Sequence, residues 1–243
     1  HGIYISTKEK RKRVFILLTD NNQYQSQLRI KLYPEESRIE IKAPVNVTVQ
    51  NHKDYLNQVG VAAGFYTMLT TDEGHRYGEK LGRYQLEYSE WVRIQTSSYR
   101  RNKDNNPGRK KYYAKKRRLE ERLHSYINQE LNRFLITEKP KTVYIVRLAK
   151  PQAGGYNKEI NYSVAQWQRG YIRKRLWQKC REQSIDIVEV LGKDISKVCS
   201  ECGEFGSKEK GKFLCSLCGY QSEDKINTAR NVKKRGQGDG KLY

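Results

Sequence analysis

The chain has 243 residues, 48 of them Lys or Arg and 27 Asp or Glu, for a formal net charge of +21. It contains no apolar run of about 18 residues, which excludes a membrane-spanning helix, and no segment pairs a basic face with a clean apolar one, which argues against a membrane-surface role. A positive excess of this size repels itself in a compact fold, and its usual partner is a polyanion. The 18 Tyr suit stacking on bases while Lys and Arg hold phosphates. Nucleic acid is therefore the predicted partner, and composition alone leaves a purely structural RNA-binding protein open.

His1-Gly2-Ile3-Tyr4 is not a natural initiator sequence, so the numbering is expected to begin inside a longer polypeptide. Residues 13–19, 24–33 and 37–41 read as strands, with turns at Asp20-Asn21-Asn22 and Pro34-Glu35-Glu36. Leu28, Ile30 and Leu32 alternate with Arg29 and Lys31, the period of a sheet with one wet basic face, and Val45, Val47 and Val49 suggest a further strand. The expectation is a small antiparallel β-domain over residues 1–54.

A second unit begins at Val59. The run 59–65 reads as a strand with a Gly-containing bend, followed by 67–71, a turn at Asp72-Glu73-Gly74-His75 and a return strand from Arg76-Tyr77. Helices are predicted over 79–101 and 109–135, separated by the breaker 103–108. The second carries one apolar stripe, Leu119, Leu123, Ile127, Leu131 and Phe134. Its first half is a basic cluster, Arg109, Lys110, Lys111, Lys115, Lys116, Arg117 and Arg118, which is either a solvated face or a surface that tracks phosphates. A strand at 141–148, a loop at 151–156, a helix over 164–183, a strand at 184–191 and a final helix at 224–234 complete the reading. The expected class is α/β with a ribonuclease H-like sheet, an antiparallel hairpin start followed by parallel additions.

Cys199-x-x-Cys202 and Cys215-x-x-Cys218 have the spacing of a tetrahedral four-thiolate site for one structural Zn²⁺, closed to substrate. Gly203 and Gly219 follow the two knuckles and permit the tight turn that aims backbone N–H groups at the sulfurs. Two disulfides are the alternative, but nothing in the chain resembles a secretory signal. Cys180 has no partner and is expected to pack as a small buried residue.

In order along the chain, Gly60-Val61-Ala62-Ala63-Gly64, the strand 144–148 followed by Lys150-Pro151, Trp167-Gln168-Arg169-Gly170, the ribbon, and Asn227-Thr228-Ala229-Arg230-Asn231-Val232 resemble the C-terminal part of TnpB (OrfB) transposon-encoded proteins and the related type V CRISPR effectors. The resemblance covers roughly residues 10–236, and the order of motifs carries it. It implies a wedge-like β-domain at 1–54, a RuvC ribonuclease H-like domain at 55–197 with a helical insertion at 79–135, a zinc ribbon at 198–221 and a last RuvC segment with tail at 222–243. Guide RNA and target DNA are the implied partners, with no membrane, in bacterial cytoplasm and on the nucleoid when target-bound.

Nucleases of this resemblance place three carboxylates around two Mg²⁺ ions. At the first position, Asp-x-Gly, this chain has Ala62, either an engineered inactivation or a natural loss. At the second it has Val146, or Arg147 on a shifted alignment, while Glu189 on the next strand is a relocated candidate or an outward-facing strand residue. At the third it has Lys225, with Asp224 one residue earlier as a candidate ligand or a helix N-cap. Two readings follow. One is an RNA-guided DNA endonuclease with a rearranged acidic set at position 62, Glu189 and Asp224, disabled by Ala62. The other is a nuclease-dead, RNA-guided DNA binder, such as a repressor.

Overall fold

The computed structural model describes residues 1–238 except 22, 25, 26, 102–108 and 148–157; for 97–101, 109 and 158–161 the backbone alone is described. The predicted breaker at 103–108, the loop at 151–156 and the Lys150-Pro151 motif lie outside the described residues. The chain divides into two compact units, His1–Asn46 and Val47–Tyr243.

Among the described residues the first unit holds four strands in two antiparallel hairpins. Strand β1 (Gly2–Ser6) pairs with β2 (Arg13–Leu17), and β3 (Arg29–Tyr33) pairs with β4 (Arg38–Lys42). Strand β1 was not legible in the sequence, and Val45, Val47 and Val49 are exposed coil rather than a strand. Tyr33 anchors the second hairpin, with the Arg38 guanidinium 3.9 Å over its ring and its hydroxyl donating to Glu40 at 2.9 Å.

The second unit is built on β5 (Asn57–Ala63), β6 (Leu69–Thr71), β7 (Arg76–Tyr77), α1 (Leu81–Arg101), α2 (Arg109–Glu138), β8 (Pro140–Val146), α3 (Lys158–Ala165), α4 (Arg169–Glu182) and β9 (Asp186–Val190). Three short ribbon strands follow, β10 (Ser207–Glu209), β11 (Lys212–Leu214) and β12 (Gln221–Glu223), and then α5 (Asp224–Gly236). The predicted helix 164–183 is two helices, α3 and α4, divided at residues 166–168.

The five large-sheet strands lie in the order β7-β6-β5-β8-β9. Strands β5, β6 and β7 form an antiparallel meander, and β8 and β9 add parallel to β5. Parallel additions require crossovers, which the α1–α2 and α3–α4 pairs supply, and α5, which follows the ribbon, covers the other face of the sheet. On one face Val59, Val61, Val143 and Ile145 pack under the α2 stripe Leu123, Ile127, Leu131 and Phe134 and under Ile172, Leu176 and Cys180 of α4. On the other, Tyr144, Val190, Ile195 and Val232 form a smaller cluster. The α2 stripe is buried as predicted except at half-buried Leu119, and the Cys180 thiol is pushed up to about 12 by burial.

Helix α5 lies against β5 because residue 60 is glycine. A Cβ there would meet the Ala229 carbonyl oxygen at 2.3 Å and the Lys233 Cβ at 2.7 Å, both closer than packed atoms approach. Buried Asp72 locks this contact by accepting from the Gly60 N–H at 2.8 Å and from Lys233 Nζ at 2.6 Å.

Candidate functional site

The four ribbon sulfurs lie within 4.8 Å of one another. The Cys199–Cys218 and Cys202–Cys215 sulfurs are 3.6 and 3.5 Å apart. A tetrahedral zinc with bonds of about 2.3 Å needs sulfurs about 3.8 Å apart, whereas a disulfide needs about 2.05 Å, so the four residues fit one tetrahedral metal ion better than two disulfides. The two knuckles repeat one geometry. Gly203 and Gly219 take φ of +82° and +74°, and each donates its N–H to the carbonyl of the first cysteine of its knuckle at 3.0 Å. The backbone N–H of Cys218, and also that of Leu217, points at the Cys215 sulfur and helps lower its thiol to about 7, which favours the ligating form. Buried Phe213 packs in one cluster with Cys199 and Cys215. Asn227 of α5 holds the ribbon's entry by accepting from the Ser200 N–H and donating to the Val198 carbonyl, both at 2.8 Å, and Asn231 one turn later donates to Ile195 and Val198.

The sheet separates the predicted carboxylate positions. Side chains alternate along a strand, so Gly60, Ala62 and Gly64 share the α5 face while Val59, Val61 and Ala63 face α2 and α4. Register carries this across the sheet: Val61, Ile145 and Glu189 form one row. Val146 and its partner Val190 belong to the other face, with Ala62. Glu189 is therefore on the opposite side of the sheet from Ala62. There it accepts two bonds from the Arg173 guanidinium of α4, at 2.7 and 3.0 Å. The expectation that Glu189 joins Ala62 in one acidic set is corrected by a parity that β9's register imposes.

Asp224 does not complete the set either. It is the first residue of α5, and its carboxylate lies 3.7 Å from Lys208 on β10, toward the ribbon. Its side chain does not cap the helix. The α5 stripe that meets β5 runs through Lys225, Ala229 and Lys233, and Lys225 Cε lies 3.9 Å from where a Cβ on Gly64 would stand. Two hard divalent cations need several oxygen ligands. Alanine, valine and a lysine ammonium on this face offer none, so the residues present do not fit that pair of ions. Lys225, Lys208 and Arg173 were not singled out as site residues from the sequence, although the spacing to Asn227 already put Lys225 on the position of interest.

In the basic half of α2, Lys110, Lys111, Lys115 and Arg118 are exposed and Lys116 and Arg117 half-buried, while the side chain of Arg109 lies outside the described residues. The Lys115 ammonium sits 5.4 Å from the centre of the Trp91 ring, and Trp91 stacks on Tyr112 at 5.4 Å, so charge and aromatic faces alternate along one helical pair. If this cluster tracks nucleic-acid phosphates, exchanging Lys110, Lys111, Lys115 and Lys116 for glutamine reduces the slope of log affinity for RNA against log salt by roughly 3, as four phosphate contacts require. Titration of RNA binding across salt concentrations checks this, and an unchanged slope would make the cluster a solvated face.

A Cas12f1-like TNB domain profile matches residues 170–232, from α4 through the ribbon into α5. A TnpB-like protein of Aquifex aeolicus (strain VF5) is 28% identical over 102 residues, covering 39% of this chain and 33% of the relative. The chain is similar to the TnpB and type V effector family. A cryo-EM structure of a Cas12f1-sgRNA-target DNA complex shares the fold, with a TM-score of 0.52 and 17% identity over 96% of this chain and 65% of that one. The chain thus spans about a third of the TnpB-like relative and under two thirds of the Cas12f1 chain. Within the TNB-like segment lie all four ribbon cysteines, Glu189, Asp224 and Lys225; Ala62 lies outside it.

Proposed function

We propose that this chain is the C-terminal part of an RNA-guided DNA-binding protein of the TnpB and type V effector kind that holds its target without cutting it. The observation that carries the reading is the α5 face of β5. Lys225 lies against Gly64 beside Ala62, and Glu189 is held by Arg173 on the other face. Phosphodiester hydrolysis by two metals requires a clamp of carboxylates around the ions that activate water and stabilise the leaving oxygen. A cation in that place disfavours the ions further. The hairpin-then-parallel strand order supports a RuvC-type, ribonuclease H-like origin for the sheet, with the α1–α2 pair as its helical insertion and the ribbon as a zinc-bearing element.

The parts then have distinct roles. Guide–target base pairing reads sequence, while the protein grips backbones through charge and shape. The first unit, residues 1–46, is the wedge-like β-domain for the guide RNA, and the basic half of α2 tracks phosphates. A complex that stays on uncut DNA blocks other proteins from the same site, the behaviour of a repressor acting where the bacterial genome lies. The alternative, a nuclease silenced at position 62 alone, requires Glu189 to leave Arg173 and cross the sheet.

The test uses the intact protein with its guide RNA and a matched duplex. Stable, guide-dependent binding with both strands uncut in Mg²⁺ and in Mn²⁺ is expected. Guide-dependent strand scission, or no guide-dependent binding, would overturn the reading.

A further inference from the structure

We propose that the ribbon is a redox switch, in which hydrogen peroxide converts the four thiolates into two disulfides across the knuckles, expels the zinc and weakens the grip on target DNA. The output rests on the guided-binding reading, while the chemistry rests on the ribbon and its zinc alone. Two sulfur contacts each join one exposed cysteine to one buried cysteine of the other knuckle. Exposed Cys202 stands 3.5 Å from buried Cys215, and exposed Cys218 stands 3.6 Å from buried Cys199. An accessible thiolate meets the oxidant first, and its shielded neighbour is placed to resolve the product. Cys180 is buried in the core beneath α2 and α4 and takes no part.

Electrons and atoms balance within each pair. The exposed thiolate attacks one peroxide oxygen, the O–O bond breaks, a sulfenic acid forms and hydroxide leaves as water. The buried thiolate then attacks the sulfenyl sulfur, the S–S bond forms, and the hydroxyl leaves as a second water. Each pair gives up two electrons and takes up two protons, and one hydrogen peroxide becomes two waters. With both pairs oxidised no thiolate remains, and zinc binding requires the deprotonated sulfur.

Helix α5 ties the ribbon to the sheet. Asn227 bonds the Ser200 N–H and the Val198 carbonyl at the first knuckle, both at 2.8 Å, and Lys234 donates to the Ser200 carbonyl. Arg230 donates to the Tyr220 hydroxyl beside the second knuckle at 3.0 Å and to the Asp72 carbonyl of the sheet at 3.1 Å. Closing the sulfur pairs from 3.5 and 3.6 Å to a bond of about 2.05 Å displaces the knuckles from these partners. Phe213 shares a cluster with Cys199 and Cys215, so the displacement also reaches the small core of the ribbon.

The experiment treats the intact, zinc-loaded protein and its guide RNA with hydrogen peroxide. Released zinc is read with a colorimetric chelator, cysteine pairing by alkylation and peptide mass spectrometry, and target affinity before and after treatment. About two peroxides are consumed per zinc released, with Cys199–Cys218 and Cys202–Cys215 linked and Cys180 still a thiol. Target affinity falls about tenfold, within the usual range of coupling between sites, and dithiothreitol with added zinc restores it. Cys180→Ser behaves as the wild type throughout. Zinc retained under peroxide, disulfides confined to Cys199–Cys202 and Cys215–Cys218, or unchanged target affinity after zinc loss would each overturn the switch and leave the proposed function standing. Absence of guide-dependent binding before any peroxide is added would instead remove the proposed function, and the output of the switch with it.

Discussion

Serine in place of Cys215 is expected to reduce bound zinc from one ion per chain to a small fraction of one and to melt residues 198–221 while the large sheet stays folded. The ribbon has almost no core of its own. Its buried cluster is Cys199, Phe213 and Cys215, with Tyr220 at the side, and its strands β10, β11 and β12 are three residues each. Such an element relies on the metal, whose binding free energy in small zinc modules is roughly 10 kcal/mol or more and is at the same time folding free energy. The α2, α4 and β5 core contains none of the four ligands, so the damage should remain local apart from the ends of α5 that Asn227 and Asn231 tie to the ribbon. Elemental analysis and hydrogen exchange over 198–221 check both halves. Full zinc occupancy in the serine variant would show that these four thiolates are not the ligand set.

Much of the second unit was legible because its signals are local. The α2 stripe at three- and four-residue spacing, the Cys-x-x-Cys pairs and the turn Asp72-Glu73-Gly74-His75 each encode their structure over a few residues: the stripe is buried except at Leu119, the four cysteines lie together, and the turn stands where it was predicted. Strand β1 was missed because Gly2–Ser6 has no alternation of its own and is specified by its pairing with Arg13–Leu17. The valines at 45, 47 and 49 alternate like a strand but find no partner strand among the described residues. Periodicity states a preference, and pairing decides it.

The candidate carboxylates failed for a related reason. Glu189 reads from sequence as an acidic residue in an apolar strand, which suits a metal ligand. Which face it occupies depends on the register of β9 against β8 and on Arg173, sixteen residues earlier on α4. A shift of one residue would have put it on the sheet face that Ala62 occupies, one strand further over; the observed pairing of Ile145 with Glu189 puts it on the opposite face. Asp224 and Lys225 are neighbours in sequence, yet the helix turns one toward the ribbon and the other toward β5.

In the proposed reading the α5 face lacks carboxylates at several positions, not at Ala62 alone. The decisive measurement is cleavage of guide-matched DNA by the Ala62→Asp variant of the intact protein, with guide RNA, in Mg²⁺ and Mn²⁺. Retained guided binding and no product are expected, because one new carboxylate faces Lys225 and Val146, and Glu189 remains engaged by Arg173. Cutting is expected only when Ala62→Asp, Val146→Glu and Lys225→Asp are combined. Since enzymes accelerate such reactions by at least roughly a millionfold, restored activity would stand far above background. Strand scission by Ala62→Asp alone, abolished again by Glu189→Gln, would instead establish a rearranged nuclease silenced at one residue.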